Sequence, residues 1–299
     1  VFIVASNLNT GNSKKNAWTN SRQLKAPQGS PSRFLQALNR FTGGIKVQAH
    51  NPLRDKFGKG YEHLIAGDAC RFREELESAI DHYRKALQHA SQLNETCLDA
   101  YLGIAKCFQR KGDIKDAIHY LSMAVQQNSF SAEAHHDLAK CYSDYGNSQK
   151  AIYHYERAIR LNHSFVDAHF GLALLLEAKG DVEKAIQQYQ TLLKIDPEFL
   201  PSYNNLGSIY LRQNALDKAE ALFRALVAKA PTFTRGYLGL AMTCDRAGKC
   251  SEAIQSYEAV IQLRPNGKNM QFIAQRLIQM NIDLGRSVTR RNLTLVRVK

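Results

Sequence analysis

The sequence lacks most of the signatures by which a chain announces membrane insertion or chemistry. Its longest unbroken apolar stretch, Phe170 to Leu176, falls far short of the ~20 residues a spanning helix needs, so a helical membrane span is excluded. It has no Gly-rich phosphate loop, no G-x-S-x-G, no H-E-x-x-H and no paired-carboxylate cluster that would define a catalytic pocket. The six cysteines, Cys70, Cys97, Cys107, Cys141, Cys244 and Cys250, never stand in C-x-x-C spacing, which excludes a zinc knuckle or a dithiol redox motif. Scattered free thiols point to a reducing compartment. Cys70 and Cys244 fall at equivalent places in the chain and are expected to be buried as small apolar fillers. With 18 Gly and 7 Pro in 299 residues the chain is neither collagen-like nor wholly disordered.

Acidic residues are almost missing from both ends. Residues 1–59 hold ten Lys or Arg against Asp55 alone, a charge of +9; residues 285–299 hold five and no acid, +5; of the total +13 this leaves −1 for the middle. The middle is therefore electrically balanced between two basic flanks. Such flanks can bind polynucleotides or an anionic membrane surface by counterion release. Without aromatic interleaving, the reading adopted is solvated tails. The Arg- and Ser-containing, acid-poor start also resembles an organelle transit peptide, but its Asn, Gly, Pro and Gln fit a plain disordered segment. A cytoplasmic location is expected, with organelle targeting as the alternative.

What the chain does contain is a repeat. Ala79, Ala117, Ala151, Ala185, Ala219 and Ala253 are spaced 38, 34, 34, 34 and 34 apart. Twelve residues before each stands Gly67, Ala105, Ala139, Ala173, Gly207 or Ala241; four after each stands Tyr83, Leu121, Tyr155, Tyr189, Phe223 or Tyr257. Apolar residues at i, i+3, i+4 and i+7 make each unit two helices, A and B, and the small residues let them approach closely. Gly112, Gly146, Gly180, Asn214 and Gly248 are placed to end helix A in the left-handed conformation. Asp113, Asn147 and Asp181 are suited to start helix B, and Pro197, Pro231 and Pro265 mark the B-to-A junctions. His63, His135 and His169 share a position where packing accounts for them. The adjacent His135 and His136 would point to different sides of a helix, so neither a metal nor another cofactor is expected.

Over residues 60–267 these registers resemble the tetratricopeptide repeat family. The resemblance implies an all-α superhelical solenoid of six helix pairs. Two departures stand in the first unit: Glu74 where Gly is usual, and four extra residues around Gln88 to Asn94, implying one more helical turn. A capping helix is expected over 268–285, with Ile273, Leu277, Met280 and Leu284 on its apolar face, followed by a basic tail over 286–299. Residues 1–59 are expected to be largely disordered, save a short amphipathic helix carrying Phe34, Leu35, Leu38 and Phe41.

The family binds partners along the concave face lined by the A helices, at the second, fifth, ninth and twelfth positions of each unit. Carried onto this sequence, the resemblance implies a groove with positive charge at Lys106, Arg110, His136 and Lys140 toward its N-terminal half. Toward the C-terminal half it implies Phe170, Leu174, Asn204, Asn205, Arg212, Leu238, Met242 and Arg246, with Ser208, Leu211 and Arg235 beside them. The expected partner is a protein or peptide with apolar and acidic groups. Leu64 and Asp68 at the first unit's facing positions count against a chaperone-type carboxylate clamp. Asn204 and Asn205 resemble the asparagines of O-linked N-acetylglucosamine transferase, without forming a ladder. The reading is therefore a non-enzymatic interaction scaffold. Its alternatives are a nucleic-acid-associated protein using the basic flanks and the regulatory region of a longer enzyme such as a glycosyltransferase.

Overall fold

The computed structural model describes residues 52–92, 97–265, 267 and 269–285. The expected N-terminal helix around Phe34 and the two outer basic segments, 1–51 and 286–299, lie outside them. Among the described residues there are thirteen α-helices and no strand, and no helix is long and apolar enough to cross a membrane. The chain divides into two compact units, residues 1–95 and 96–299.

The first unit holds one hairpin, α1 (Pro52–Phe72) and α2 (Leu76–Gln92). Gly58, at φ 46° and ψ −126°, interrupts α1. The close approach of the two helices is set by Gly67, where a Cβ would fall 2.7 Å from the Tyr83 ring. Tyr83 is 1% exposed and donates its hydroxyl to Asp68 Oδ1 at 2.7 Å, while Arg71 donates to both. Glu74 takes the left-handed turn at φ 65°, an uncommon conformation for a residue with a Cβ. The extra residues lengthen α2 to 17, against 14 in each helix B of the second unit, close to one added turn.

The second unit stacks five hairpins. Their A helices are α3 (Leu98–Lys111), α5 (Ala132–Asp144), α7 (Val166–Lys179), α9 (Leu200–Arg212) and α11 (Thr234–Arg246). Their B helices are α4 (Ile114–Gln127), α6 (Ser148–Leu161), α8 (Val182–Ile195), α10 (Leu216–Lys229) and α12 (Cys250–Leu263). Every start follows the last of its kind by 34 residues. The alanines of the repeat are fully buried, as are or nearly are Leu121, Tyr155, Tyr189, Phe223 and Tyr257 behind them. Burying one such side chain contributes about 1.5–3 kcal/mol. Consecutive hairpins share this core, which makes the unit an α-α superhelix whose stability comes from nearest-neighbour contacts.

The helix ends follow the sequence with one exception. Gly112, Gly146, Gly180, Asn214 and Gly248 all have positive φ, and the following N–H closes each turn, as Asp113 does on Phe108 O at 2.9 Å. At the B-helix starts only Asn147 caps with its side chain, accepting from Lys150 N; Asp113 and Asp181 stand at the N-cap without that bond. Cys70 and Cys244 are both buried, and all six cysteines are free thiols.

Two of the recurring histidines, His135 and His169, use both ends of the ring for structure. His135 reaches Ser129 O at 3.2 Å and His154 Nδ1 at 2.9 Å; His169 reaches His163 O at 3.0 Å and Gln188 Oε1 at 2.8 Å. His63 pairs with His82 at 3.1 Å in the first unit.

The last helix, α13 (Met270–Asp283), begins two residues later than the 34-residue spacing would place it. Ile273, Leu277 and Met280 are buried as expected, but Leu284 lies at the helix end and is 40% exposed. Phe272 and Ile282 are more than half exposed, so the outer face of this cap is not purely polar. Arg276 fixes α13 to α11 through two bonds to Asp245, at 2.7 and 2.6 Å.

Candidate functional site

With the A helices in strict register, the same numbered positions recur in the same place on successive hairpins. Positions on the inner side of each A helix are buried; the second, fifth, ninth and thirteenth keep some or all of their surface, except Leu102 at the fifth position of α3, which is buried. The expected site residues fall into two clusters of different chemistry.

The first cluster spans α3, α5 and α6. Lys106 donates to Glu133 Oε1 at 2.7 Å and lies 3.9 Å from Asp137 Oδ2. His136 pairs with Asp137 at 3.0 Å, and its ring lies against Phe165 and Tyr155. The positive character expected here is therefore largely answered within the protein. Glu133 itself stands at a groove position, the second of the following hairpin, opposite Lys106. Arg110 and Lys140 are exposed, and Lys140 makes no ion pair among the described residues.

The second cluster is a hydrogen-bonded chain across α7, α8 and α9. Asn204 donates to Asn205 at 3.1 Å, Asn205 donates to the Tyr189 hydroxyl at 3.1 Å, and that hydroxyl donates to Glu177 at 3.3 Å. Arg212 completes it by donating to the other Glu177 oxygen. Phe170 packs beside it, between Tyr189 and an edge-on Phe199 whose centroid is 5.1 Å away, and Leu174 is 43% exposed. Burial and the neighbouring carboxylate hold the Tyr189 phenol well above its usual pKa, so it acts as a hydrogen-bond donor and not as a base.

Toward the C-terminus, Leu238 and Met242 pack partly buried against the core of α9–α13. Arg246, expected as a groove cation, is fixed to the Leu211 carbonyl at 2.9 Å, where it satisfies the C-terminal end of α9. Glu177, Glu133 and Asp137 were missed by the sequence reading. The signal that could have found Glu177 is an acid standing twelve residues before a tyrosine of the repeat, as Asp245 stands before Tyr257.

One group of possible metal ligands exists among the described residues: Glu220, Cys244 and Glu252, with donor atoms within 4.8 Å of one another. Its carboxylates are already answered by cations. Lys249 and Arg224 bond Glu220, and Arg224 also bonds Glu252. The Lys249 bond is the main reason that the Glu220 carboxyl is held below the usual range, and burial pushes the Cys244 thiol up and keeps it protonated. The group is an ion-pair network.

Family models described as tetratricopeptide repeat match residues 99–131, 132–165, 154–187 and 204–268, and one described as TPR repeat matches 175–214. Together they cover 99–268 without a gap, more than half of the chain. The chain belongs to the tetratricopeptide repeat family. Its architecture recurs in solved structures of that family. The MamA protein is 29% identical over 58% of this chain and 93% of its own, with a TM-score of 0.52. PilF of Pseudomonas aeruginosa shares the fold at 15% identity, over 75% of this chain and 99% of its own, with a TM-score of 0.62. YrrB, described as a TPR protein with an unusual peptide-binding site, is 19% identical over 63% of this chain and 96% of its own, with a TM-score of 0.50. No curated protein matches the sequence significantly. Tetratricopeptide repeats build protein–protein interaction scaffolds, and that is the class in which this chain stands.

Proposed function

We propose that the second unit is a non-enzymatic adaptor that holds an extended segment of a partner protein along its A helices. The observation that carries this reading is the row of apolar side chains left partly open at register positions, Phe170, Leu238 and Met242, with Leu174 the most exposed at 43%. Phe170, Leu238 and Met242 pack against the core with one part of their surface and leave the rest open. Apolar surface repeated in this way and rimmed by polar groups marks an interaction site. Lys140, the amides of Asn204 and Asn205, and Arg212 supply the polar contacts to a partner's backbone and carboxylates. YrrB's described peptide-binding site supports the same use of the fold.

Affinity capture from a cell extract, with the full chain as bait, tests this. A Leu174→Asp/Lys140→Glu double variant that melts like the wild type should lose the captured proteins. Retention of the same proteins by that variant refutes the reading. Retention of polynucleotide, released steeply by salt, transfers the activity to the basic flanks.

A further inference from the structure

At three A-helix starts the residue just before the helix is a phenylalanine at the 34-residue spacing: Phe165, Phe199 and Phe233. The first two rings lie over the fifth position of the preceding A helix, Phe165 at 5.0 Å from the His136 ring and Phe199 at 5.1 Å from Phe170. One repeat later the register gives Gly267 where the ring should be, and Leu238 at the fifth position beneath it. Because α13 also starts two residues late, none of the described residues replaces the missing ring. A cavity of about 430 Å³ remains, lined by Leu238, Leu263, Met270 and Gly267 among others, and by the exposed Arg235 and Arg264. That volume accommodates a whole aromatic side chain with its backbone.

The charge of the cavity is one-sided. No acidic residue lines it among the described residues. Elsewhere at this end of the molecule three cations are matched by acids, Lys229 with Glu198, Lys249 with Glu220 and Arg276 with Asp245, and Arg246 is held by the Leu211 carbonyl. Arg235 and Arg264 make no ion pair among the described residues. The chain's own flanks are poor occupants, because residues 1–59 and 285–299 carry +9 and +5 and would bring like charge.

We propose that this cavity receives an aromatic side chain, phenylalanine in size, from an acidic segment of a partner protein. The inference rests on the scaffold reading and gives its partner a chemistry. The ring takes the place that Phe165 and Phe199 fill in earlier hairpins, and acidic residues beside it meet Arg235 and Arg264. In the earlier hairpins the ring arrives on a polypeptide running past the helix start, which is why a peptide is favoured over a small anionic aromatic.

The test uses the full chain and a fluorescein-labelled probe, Ser-Gly-Glu-Asp-Phe-Glu-Asp-Gly-Ser, read by anisotropy. Gly267→Phe restores the missing ring from within. A Cβ there meets only ordinary contacts, 3.4 Å to Met270 Cε and 3.5 Å to the Arg264 carbonyl, and the backbone is not left-handed. Its expected effect is a tenfold or greater loss of probe affinity with a melting temperature equal to or above that of the wild type. Arg235→Glu/Arg264→Glu should weaken the probe as much, and so should alanine in place of the probe's phenylalanine. Equal probe affinity in Gly267→Phe and wild type overturns the proposal, as does displacement by phenylacetate at the probe's own concentration. If the wild type captures proteins through Leu174 and Lys140 but does not bind the probe, the cavity proposal falls and the scaffold reading stands. If it does neither, both fall.

Discussion

In the hairpin α7/α8 the large residue behind the small register is Tyr189; in α9/α10 it is Phe223. Both are almost completely buried, and both press on small residues, Phe223 so closely that a Cβ at Gly207 would fall 2.9 Å from its ring. The residue twelve before each differs in step. Tyr189 has Glu177 as an acceptor, whereas Phe223 has Leu211. Arginines at the same register then find different partners: Arg212 the Glu177 carboxylate, Arg246 the Leu211 carbonyl. In these two hairpins the volume of the ring is common and the hydroxyl accompanies a carboxylate twelve residues before it, whereas Leu121 fills the same place without a ring and Tyr155 stands there with Ser143 twelve residues before. Tyr257, Asp245 and Arg276 repeat the polar version at the last junction.

If ring volume is the common requirement, Phe223→Ala should produce the largest loss. Removing a buried ring leaves a cavity the rigid helix pair cannot close, at a cost of about 3–5 kcal/mol. Urea unfolding followed by circular dichroism measures it. A loss under about 1 kcal/mol would mean that the hairpins adjust freely and that the small–large register is not what holds them.

Reciprocal exchange asks whether the polar layer matters separately. Phe223→Tyr buries a hydroxyl beside Leu211 with no carboxylate to accept it, which should cost about 1–3 kcal/mol. Tyr189→Phe removes the acceptor of Asn205 and one of two donors to Glu177, while Arg212 remains, so about 1 kcal/mol is expected. Two neutral exchanges would show the correlation of Tyr with acid to be incidental.

The parts of this molecule legible in the sequence are those set by steric period. The buried alanines, the rings behind them, the left-handed turns at Gly112 or Asn214 and the longer α2 each follow from a residue's size or backbone freedom at a fixed spacing. Contacts between hairpins were not legible in the same way. Glu133 neutralises Lys106 from 27 residues away, and Arg212 reaches Glu177 across 35, so neither pair shows in a helix-by-helix reading. The cavity over Leu238 is likewise not legible from one hairpin alone, because glycine at a helix junction reads as a turn and only the spacing from Phe165 and Phe199 marks Gly267 as a missing ring. The register fixes where a side chain stands on its helix, but its availability depends on neighbours that the register does not specify.

The same kind of exchange between hairpins gives the smallest effect. His135 in α5 faces His154 in α6, whereas at the equivalent place His169 in α7 faces the uncharged Gln188. Burial first, then His135, Lys150 and Arg157, hold His154 down to about 4 from an ordinary value of 6.5. Between those limits the unfolded chain binds a proton that the folded chain refuses. The stabilisation is therefore complete above pH 6.5 and is lost progressively as pH falls toward 4. His135, lowered chiefly by its own burial, acts in the same direction. His154→Gln makes the third hairpin like the fourth and should flatten the wild-type decline, by on the order of 0.5 kcal/mol between pH 7 and pH 6. Urea midpoints for both proteins at the two pH values decide it: an equal decline in the variant would place the proton uptake at other groups and remove the histidine pair from the account of acid stability.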